Sequence, residues 1–598
     1  MRRTNSWRAP ITGVLVAGLA LALTGAAAPK KKEVPLKVDE TVGDLANIIG
    51  ADFKVEGVGL VVGLDDTGSD PAPGWQRTKL INEMQKNNIE HPERFLRLKS
   101  VSMVTVRATV PAGVTTKDKF DVEVELPPSS ATTSLAGGWL IMTQLAQRAA
   151  TKEGDKDDKV IASAFGPIMI GNVAKPGEPK VGRVLGGGHA KEDSPYALAI
   201  KEARRSGKTS QLLGNTINQR FHENEGADHK GISNPKTDSF LVLKVPKVYH
   251  HNQDRYHKVI KYLSVVDNAD LREKRLEDWG KELMDPKTVG IAAIKLEGMG
   301  NGSIPTLKKA LESPDETVRF FAAEAMAYLN DSDSAAVLAE VARKKPEFRS
   351  YALKALSSMD QSSSLLQLRK LMNEPEYELR YGAFDALRTL DPTDPYLGKM
   401  KVIEEPVEPE KPDDMAMQLT GVMKKRPKAK VEDPFALYVI DCEGPPMMHV
   451  SRNLKCEIVL FGKAQKLLTP TVLGSGGSLL LNASDGSDQV QISSITSKTL
   501  DATAARVNSP LELYRVIVEM ANLGASYPDI VSVLMLADKQ KNLPGPLVID
   551  ALPAPSKKYD EVQVMAETSK RDASLKKTGA DKEGRRSIRQ RLDGLIGR

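Results

Sequence analysis

The sequence predicts a multidomain α+β fold in which two β-rich segments flank an all-α solenoid, and three observations carry that expectation. Apolar residues alternate with polar ones in short runs between positions 42 and 266, the period-two pattern of half-buried strands. Between 285 and 391 a motif recurs at three- and four-residue spacing, the period of one helical face. Strand-like runs return after 433 and close in two helical patterns before 553. At 598 residues the chain has room for about three to four domains.

The N-terminus carries Arg2, Arg3 and Arg8, then an apolar run over 11–23, then the small residues Thr24, Gly25, Ala26, Ala27 and Ala28. That order is the layout of a cleavable secretory signal over 1–28. The run is shorter than the ~20 residues a spanning helix needs, so export is expected. Losing three arginines lowers the formal charge from +6 by three, to +3. Such a balance is no signature of a polyanion partner, and no nucleic acid is expected.

Within the first β-rich segment, 42–266, Val101, Met103, Val104, Val106 and Val110 precede the turn Pro111-Ala112-Gly113. Phe120, Val122, Val124 and Leu126 then alternate strictly with polar residues. Helices are expected inside this segment at 76–88 and 195–205.

In the all-α stretch, 285–391, Arg319, Arg349 and Arg380 stand 30 and 31 residues apart. Apolar residues follow each at +3, +6, +7 and +10, as Ala322, Ala325, Met326 and Leu329 do after the first. Pro314, Pro346 and Pro375 precede the arginines and separate helices. Copies in phase predict stacked helical pairs similar to HEAT-type repeats in a short-period form, with a degraded first copy at 288–299. A solenoid of this kind presents a surface for a partner.

Residues 392–432 are rich in proline and charge and read as an extended linker. In 433–553, strands are expected at 436–440, 456–461 and 479–481, with a turn at 474–477. Ser509 and Pro510 read as the N-cap and first residue of a helix running to Met520, with Gly524 at its C-terminus. Pro528 opens a second helix toward Ala537. The charged residues 554–598 read as a disordered tail. Cys442 and Cys456, 14 residues apart, are expected to form one local disulfide in an oxidising compartment.

No motif predicts chemistry. Asp66-Thr67-Gly68-Ser69 matches an aspartic-protease signature, but that machinery needs two carboxylates sharing a proton. Its echo, Asp485-Gly486-Ser487, lacks the threonine, and a polar turn after a buried strand is the simpler reading. Gly57, Gly59 and Gly63 have the wrong spacing for a dinucleotide fingerprint, and Gly186-Gly187-Gly188 lacks the Lys-Ser/Thr of a phosphate loop. Glycines at that density suit a strand closely approached by a neighbour. His250, His251 and His257 lack the partners of a metal site. No catalytic, cofactor or metal residue is assigned, and neither a cofactor nor enzyme activity is expected.

The same glycine-rich strings resemble bacterial flagellar P-ring proteins. Segment 57–68 resembles that family's hallmark segment, and 104–110 with 120–124 its paired strands. Segment 134–143 resembles a later segment of that family, with Trp139 in place of a small residue, and 160–168 and 182–188 resemble those that follow. Far downstream, 513–548 is similar to the family's C-terminal segment. The resemblance covers just over half the chain. It singles out Gly57, Gly59, Gly63, Asp66, Gly68, Gly137, Gly138, Gly166, Pro167, Gly524 and Pro528 as structural motif residues.

The resemblance implies a P-ring fold in two sequence segments, interrupted by repeats foreign to the usual family pattern. It further implies a homo-oligomeric ring in the periplasm, at the peptidoglycan layer, around the flagellar rod and beside the L ring. Such a ring would act as a bushing in motility, and the repeats would bring a partner of their own. A periplasmic adaptor working through its repeats is the alternative, and a secreted aspartic protease a more remote one.

Overall fold

The computed structural model describes residues 35–562 apart from 51, 87–88, 148–158, 172–176, 226–227, 404–433, 463, 476–478 and 495–504. The expected signal over 1–28 lies outside the described residues, as do much of 392–432 and all of the tail beyond 562.

After β1 (Ala46–Ile49) come β2 (Phe53–Val62), β3 (Val101–Val110), β4 (Lys119–Glu125), β5 (Trp139–Gln147), β6 (Val160–Pro167), the short β7 (Met169–Ile170) and β8 (Val181–Ala190). Strands pair in the order β4-β3-β2-β5-β6-β8, all antiparallel, and β8 pairs back onto β4. The sheet is therefore a closed barrel, and closure leaves no open edge along these strands. Val61, Val104, Val106, Val122, Val124, Leu140 and Leu145 fill its interior.

The outer face of β2 and β3 is covered as well. The helices Trp75–Lys86 and Pro92–Leu96 lay Leu80, Met84 and Leu96 on Val58, Leu60, Val101 and Met103. Burial on both faces is why residues 101–106 are all buried, Ser102 and Thr105 included, rather than alternately exposed.

A smaller sheet joins β1 to β9 (Tyr196–Ile200), with β10 (His222–Glu225) and β11 (Asp228–Gly231) as a separate hairpin beside it. Beyond β9 lie β13 (Phe240–Leu243) and then β12 (Ser233–Pro235). The helix expected at 195–205 is thus corrected to a strand and a short 3-10 turn, Glu202–Arg204, and the helix begins later, as Gly207–Arg220. Leu198 and Ile200 bury at period two, which a strand satisfies and a helix does not.

The helical stretch starts with Ala269–Leu283 and Val289–Met299 and continues as three pairs. These are Ile304–Leu311 with Glu316–Tyr328, Ser334–Lys344 with Pro346–Ser357, and Ser362–Leu371 with Tyr377–Leu390. The repeat arginine opens the second helix of each pair and reaches back to the end of the first. Arg319 donates to the Ser313 carbonyl at 2.7 Å, Arg349 to Ala342 at 2.9 Å and Arg380 to Met372 at 3.0 Å. A helix C-terminus leaves carbonyls without intrahelical partners and favours a cation there. That is the physical content of the 30- and 31-residue spacing.

The C-terminal region opens with β14 (Lys399–Met400), which pairs with β15 (Ala436–Ile440) in a mixed five-stranded sheet. That sheet also holds β16 (Met447–Val450) and β17 (Glu457–Phe461). A second, antiparallel sheet runs β18 (Thr471–Ser475), β19 (Leu479–Ala483), β20 (Gln489–Ser494), β21 (Ala505–Pro510), and β22 (Leu547–Ile549) completes the first beside β16.

Ser509 and Pro510, read from sequence as a helix start, instead end β21, paired with Val490 and Gln489. An edge strand tolerates proline because one row of its N–H groups has no ladder partner. The helix is Leu513–Asn522. Gly524 follows it with φ +88°, and the second helix, Tyr527–Lys539, has proline in its first turn and a Ser526–Asp529 capping box.

The expected disulfide is corrected too: Cys442 and Cys456 are free thiols. Strands β15 and β17 run parallel, with Ala436 beside Glu457 and Ile440 beside Phe461. Cys456 therefore lies near the start of the pair and Cys442 beyond its end, on the order of 20 Å apart at ~3.3 Å per residue. A disulfide needs Cα atoms within about 7 Å. Closeness in sequence does not bring them together, because parallel strands return to the same end.

Candidate functional site

Nine of the eleven motif residues lie along β2, in the turn beyond it, and at the neighbouring strands β5 and β6. Gly57 and Gly59 sit in β2 facing β5, where a Cβ on Gly57 would stand 2.3 Å from the Gln144 carbonyl oxygen. On Gly59 it would stand 2.6 Å from Thr143 Oγ1. Gly137 and Gly138 lead into β5, and Gly166 and Pro167 end β6 opposite Leu140 and Trp139. Gly63, Asp66 and Gly68 lie in the turn beyond β2. Gly524 and Pro528 stand apart, in the C-terminal helix pair.

The Asp66 turn is locked by its neighbours. Thr67 Oγ1 donates to the Ser134 carbonyl at 2.8 Å, Ser69 and Ser102 both bond the buried Thr132 hydroxyl, and the Gly68 N–H donates to Lys99 O at 2.7 Å. Asp485 sits in a hairpin turn between β19 and β20, in a different sheet. The protease-like string therefore forms the polar turn expected of it. Among the described residues no group of three or more His, Cys, Asp or Glu is placed to hold a metal. His257 packs edge-on against Tyr196 and His250 approaches Asp118 at 3.8 Å.

Large apolar side chains stand exposed on the outer side of these strands. Trp139, Met142 and Phe165 are exposed on β5 and β6, Met142 at 71%. The pairing of β5 with β6 shifts register between Leu140 and Thr143, and such an irregularity re-aims side chains. Phe165 stacks on His189, with ring centroids 4.9 Å apart.

Three joints fasten the regions together. At the first, Asp121 on β4 accepts from Leu454 N at 2.9 Å and Gly186 N at 2.8 Å and pairs with Arg183, which donates onward to Arg452 O. This pins the 451–455 turn of the C-terminal sheet onto the barrel. At the second, Arg255 bridges Glu297 and Glu324, both at 2.6 Å and all three buried. Tyr559 OH donates to Glu324 at 3.1 Å and Tyr249 OH to Glu297 at 2.7 Å. Burial holds Glu324 above the usual carboxylate range despite the guanidinium beside it.

At the third joint, Arg388 and Tyr381 of the last repeat helix bond the buried Glu457 of β17. Tyr381 stacks on His449 at 3.4 Å, and burial pushes the imidazole down to about 3. The ring therefore stays neutral, and its Nε2 accepts from Ala551 N at 3.2 Å. Burial pushes the Cys456 thiol up to about 12, which makes it inert as a nucleophile. Sequence reading predicted none of these joints, because each pairs residues far apart in the chain.

Comparison with known proteins locates these regions. Residues 41–273 match the family model described as flagellar P-ring protein. Residues 276–348 match the one described as HEAT repeats. The P-ring resemblance, with a HEAT-like segment after it, therefore stands on the whole barrel and the start of the solenoid. A flagellar P-ring protein of Aquifex aeolicus is 28% identical over 47% of this chain and 72% of its own length. One of Syntrophotalea carbinolica is 30% identical over 39% and 61%, and one of Wolinella succinogenes 28% identical over 33% and 56%. The chain thus spans between 56% and 72% of the length of these relatives. Among the described residues no helix is long and apolar enough to cross a membrane.

Proposed function

We propose that the chain is a structural subunit of the flagellar P ring, a periplasmic annulus that acts as a bushing around the rod and serves motility. The match over 41–273 carries this reading. In it, copies assemble into a closed ring, and the exposed Trp139, Met142 and Phe165 strip meets a different face of the next copy, as a closing heterologous interface requires. The motif glycines hold the strip's backbone from behind by letting β2 and β5 approach closely. Residues 433–553 form the second P-ring-like part, the signal over 1–28 directs export, and the L ring and peptidoglycan layer are neighbours.

The repeats act within the subunit in this reading. Their second helices are covered by the chain itself, through Arg255, Tyr559 and Glu457. A partner of the repeats would use the outer helices instead. An adaptor working through the covered face, or a protease using Asp66, finds less support in this geometry.

Electron microscopy of basal bodies from the native cell tests the proposal. Met142→Lys combined with Trp139→Lys is expected to abolish annuli and swimming while leaving the urea midpoint of the purified chain unchanged. Annuli of normal frequency in that variant would overturn the assigned interface, and basal bodies lacking this chain altogether would overturn the function.

A further inference from the structure

Where the P-ring match ends and the HEAT match begins, the structure holds a cavity of about 130 Å³, some ten times the ~10–15 Å³ that one water requires. The helix Gly207–Arg220 contributes Arg220, the helix Ala269–Leu283 contributes Arg272, Arg275 and Trp279, and Lys295 faces them from Val289–Met299. Positions 272, 275 and 279 are spaced by three and four, so one helical face carries two guanidiniums and an indole.

Charge in this cavity does not balance. Asp267 is shared by Arg272 at 2.6 Å and Arg275 at 3.5 Å, and Lys295 reaches Glu282 at 3.3 Å. Arg220 donates to a neutral group, the Glu297 carbonyl, at 2.9 and 3.2 Å, while the Glu297 carboxylate turns away onto Arg255. Among the described residues, Arg272 and Arg275 thus share one carboxylate and Arg220 bonds a carbonyl, so these three guanidiniums outnumber their counter-charge. The side chain of Arg275 is only 10% exposed, its remaining donor bond goes to the neutral Val38 carbonyl at 2.8 Å, and a buried cation that shares its counter-charge is costly. Each guanidinium has five N–H donors, more than these contacts use.

We propose that this junction cavity binds a compact dianion, the charge shared by a phosphate-bearing ligand and a dicarboxylate. Arg220, Arg272 and Lys295 clasp it from three helices and Trp279 lines the floor. Occupancy would tie the barrel side of the chain to the first helical pair, a contact that exists only where these two modules adjoin.

Calorimetric titration of the purified mature chain tests this, with inorganic phosphate and succinate as separate probes at ionic strength held constant by sodium chloride. Saturable binding of either probe is expected, one per chain, and the probe that binds names the source: phosphate esters, dicarboxylates, or both. Arg272→Gln, at a half-exposed position, is expected to weaken binding by about ten-fold or more, the worth of a charge-assisted bond, and Lys295→Gln likewise. Arg515→Gln, on a distant helix, is the control and leaves binding unchanged. No saturable binding by either probe, or unaltered binding in Arg272→Gln, would overturn the proposal. Should Lys295→Gln fail to fold, Arg272→Gln decides alone.

Discussion

At Gly57 the neighbouring strand comes so near that a methyl group would stand 2.3 Å from a backbone oxygen. A carbonyl in a sheet cannot swing away as a side-chain tip can. Gly57→Ala is expected to destabilise the chain by at least ~1–3 kcal/mol, read as a lower urea midpoint. The glycine density alone announced a close approach, but not that Gln144 makes it. His449 gives a second residue-scale expectation. Its pKa falls from 6.5 to about 3 on folding, so the unfolded chain binds the proton more readily. The stability this contributes is fully present above 6.5 and lost as pH falls toward 3, at up to about 1.4 kcal/mol per pH unit. His449→Phe keeps a ring on Tyr381 and removes the titration. Urea unfolding between pH 7 and 5 should show a shallower decline in that variant, and equal slopes would contradict the assignment.

Among the elements, the repeat helices were the most legible. Ala322, Ala325, Met326, Ala352, Ala355 and Leu356 are all fully buried, as their spacing requires. The spacing did not say why an arginine belongs at the head of each second helix. In the fold it supplies donors to the frayed end of the helix before it. Arg349→Met is expected to cost ~1–3 kcal/mol by leaving the Ala342 carbonyl unpaired. Arg349→Lys should not restore it, since Nε of a planar fork makes the bond. Chemical denaturation of both variants checks this. The misread helix start at Ser509 and Pro510 shows the opposite case. A cap signature and the end of an edge strand use the same residues, and only the pairing with β20 separates them.

For the whole molecule, the decisive feature is that the solenoid does not stand free. Its core is continuous with the small N-terminal sheet and with Tyr438, Phe461 and Tyr559 of the C-terminal region. Tyr559 belongs to the segment read as a disordered tail, yet it is 3% exposed, stacked 3.6 Å from Tyr351 and packed on Phe321. One aromatic side chain in a polar stretch is too little pattern to predict burial. Tyr559→Ala is expected to cost about 3–5 kcal/mol and to expose the second helices of the repeats to limited proteolysis. An unchanged midpoint would mean that the segment adds nothing to the fold. Arg255→Met should cost a similar ~3–5 kcal/mol, because it leaves Glu297 and Glu324 buried without their cation.

The sequence by itself determined the order of β-rich, helical and β-rich regions, the alternation of the barrel strands and the helical repeat. All of these are local or periodic and survive in one dimension. Tertiary structure alone decided that the barrel closes, that β5 closes tightly on the glycines of β2, that the cysteines stay apart and that Tyr559 packs on the repeats. Each of those depends on which distant segments meet. A single chain's periodicity records which face of an element is buried, not what buries it.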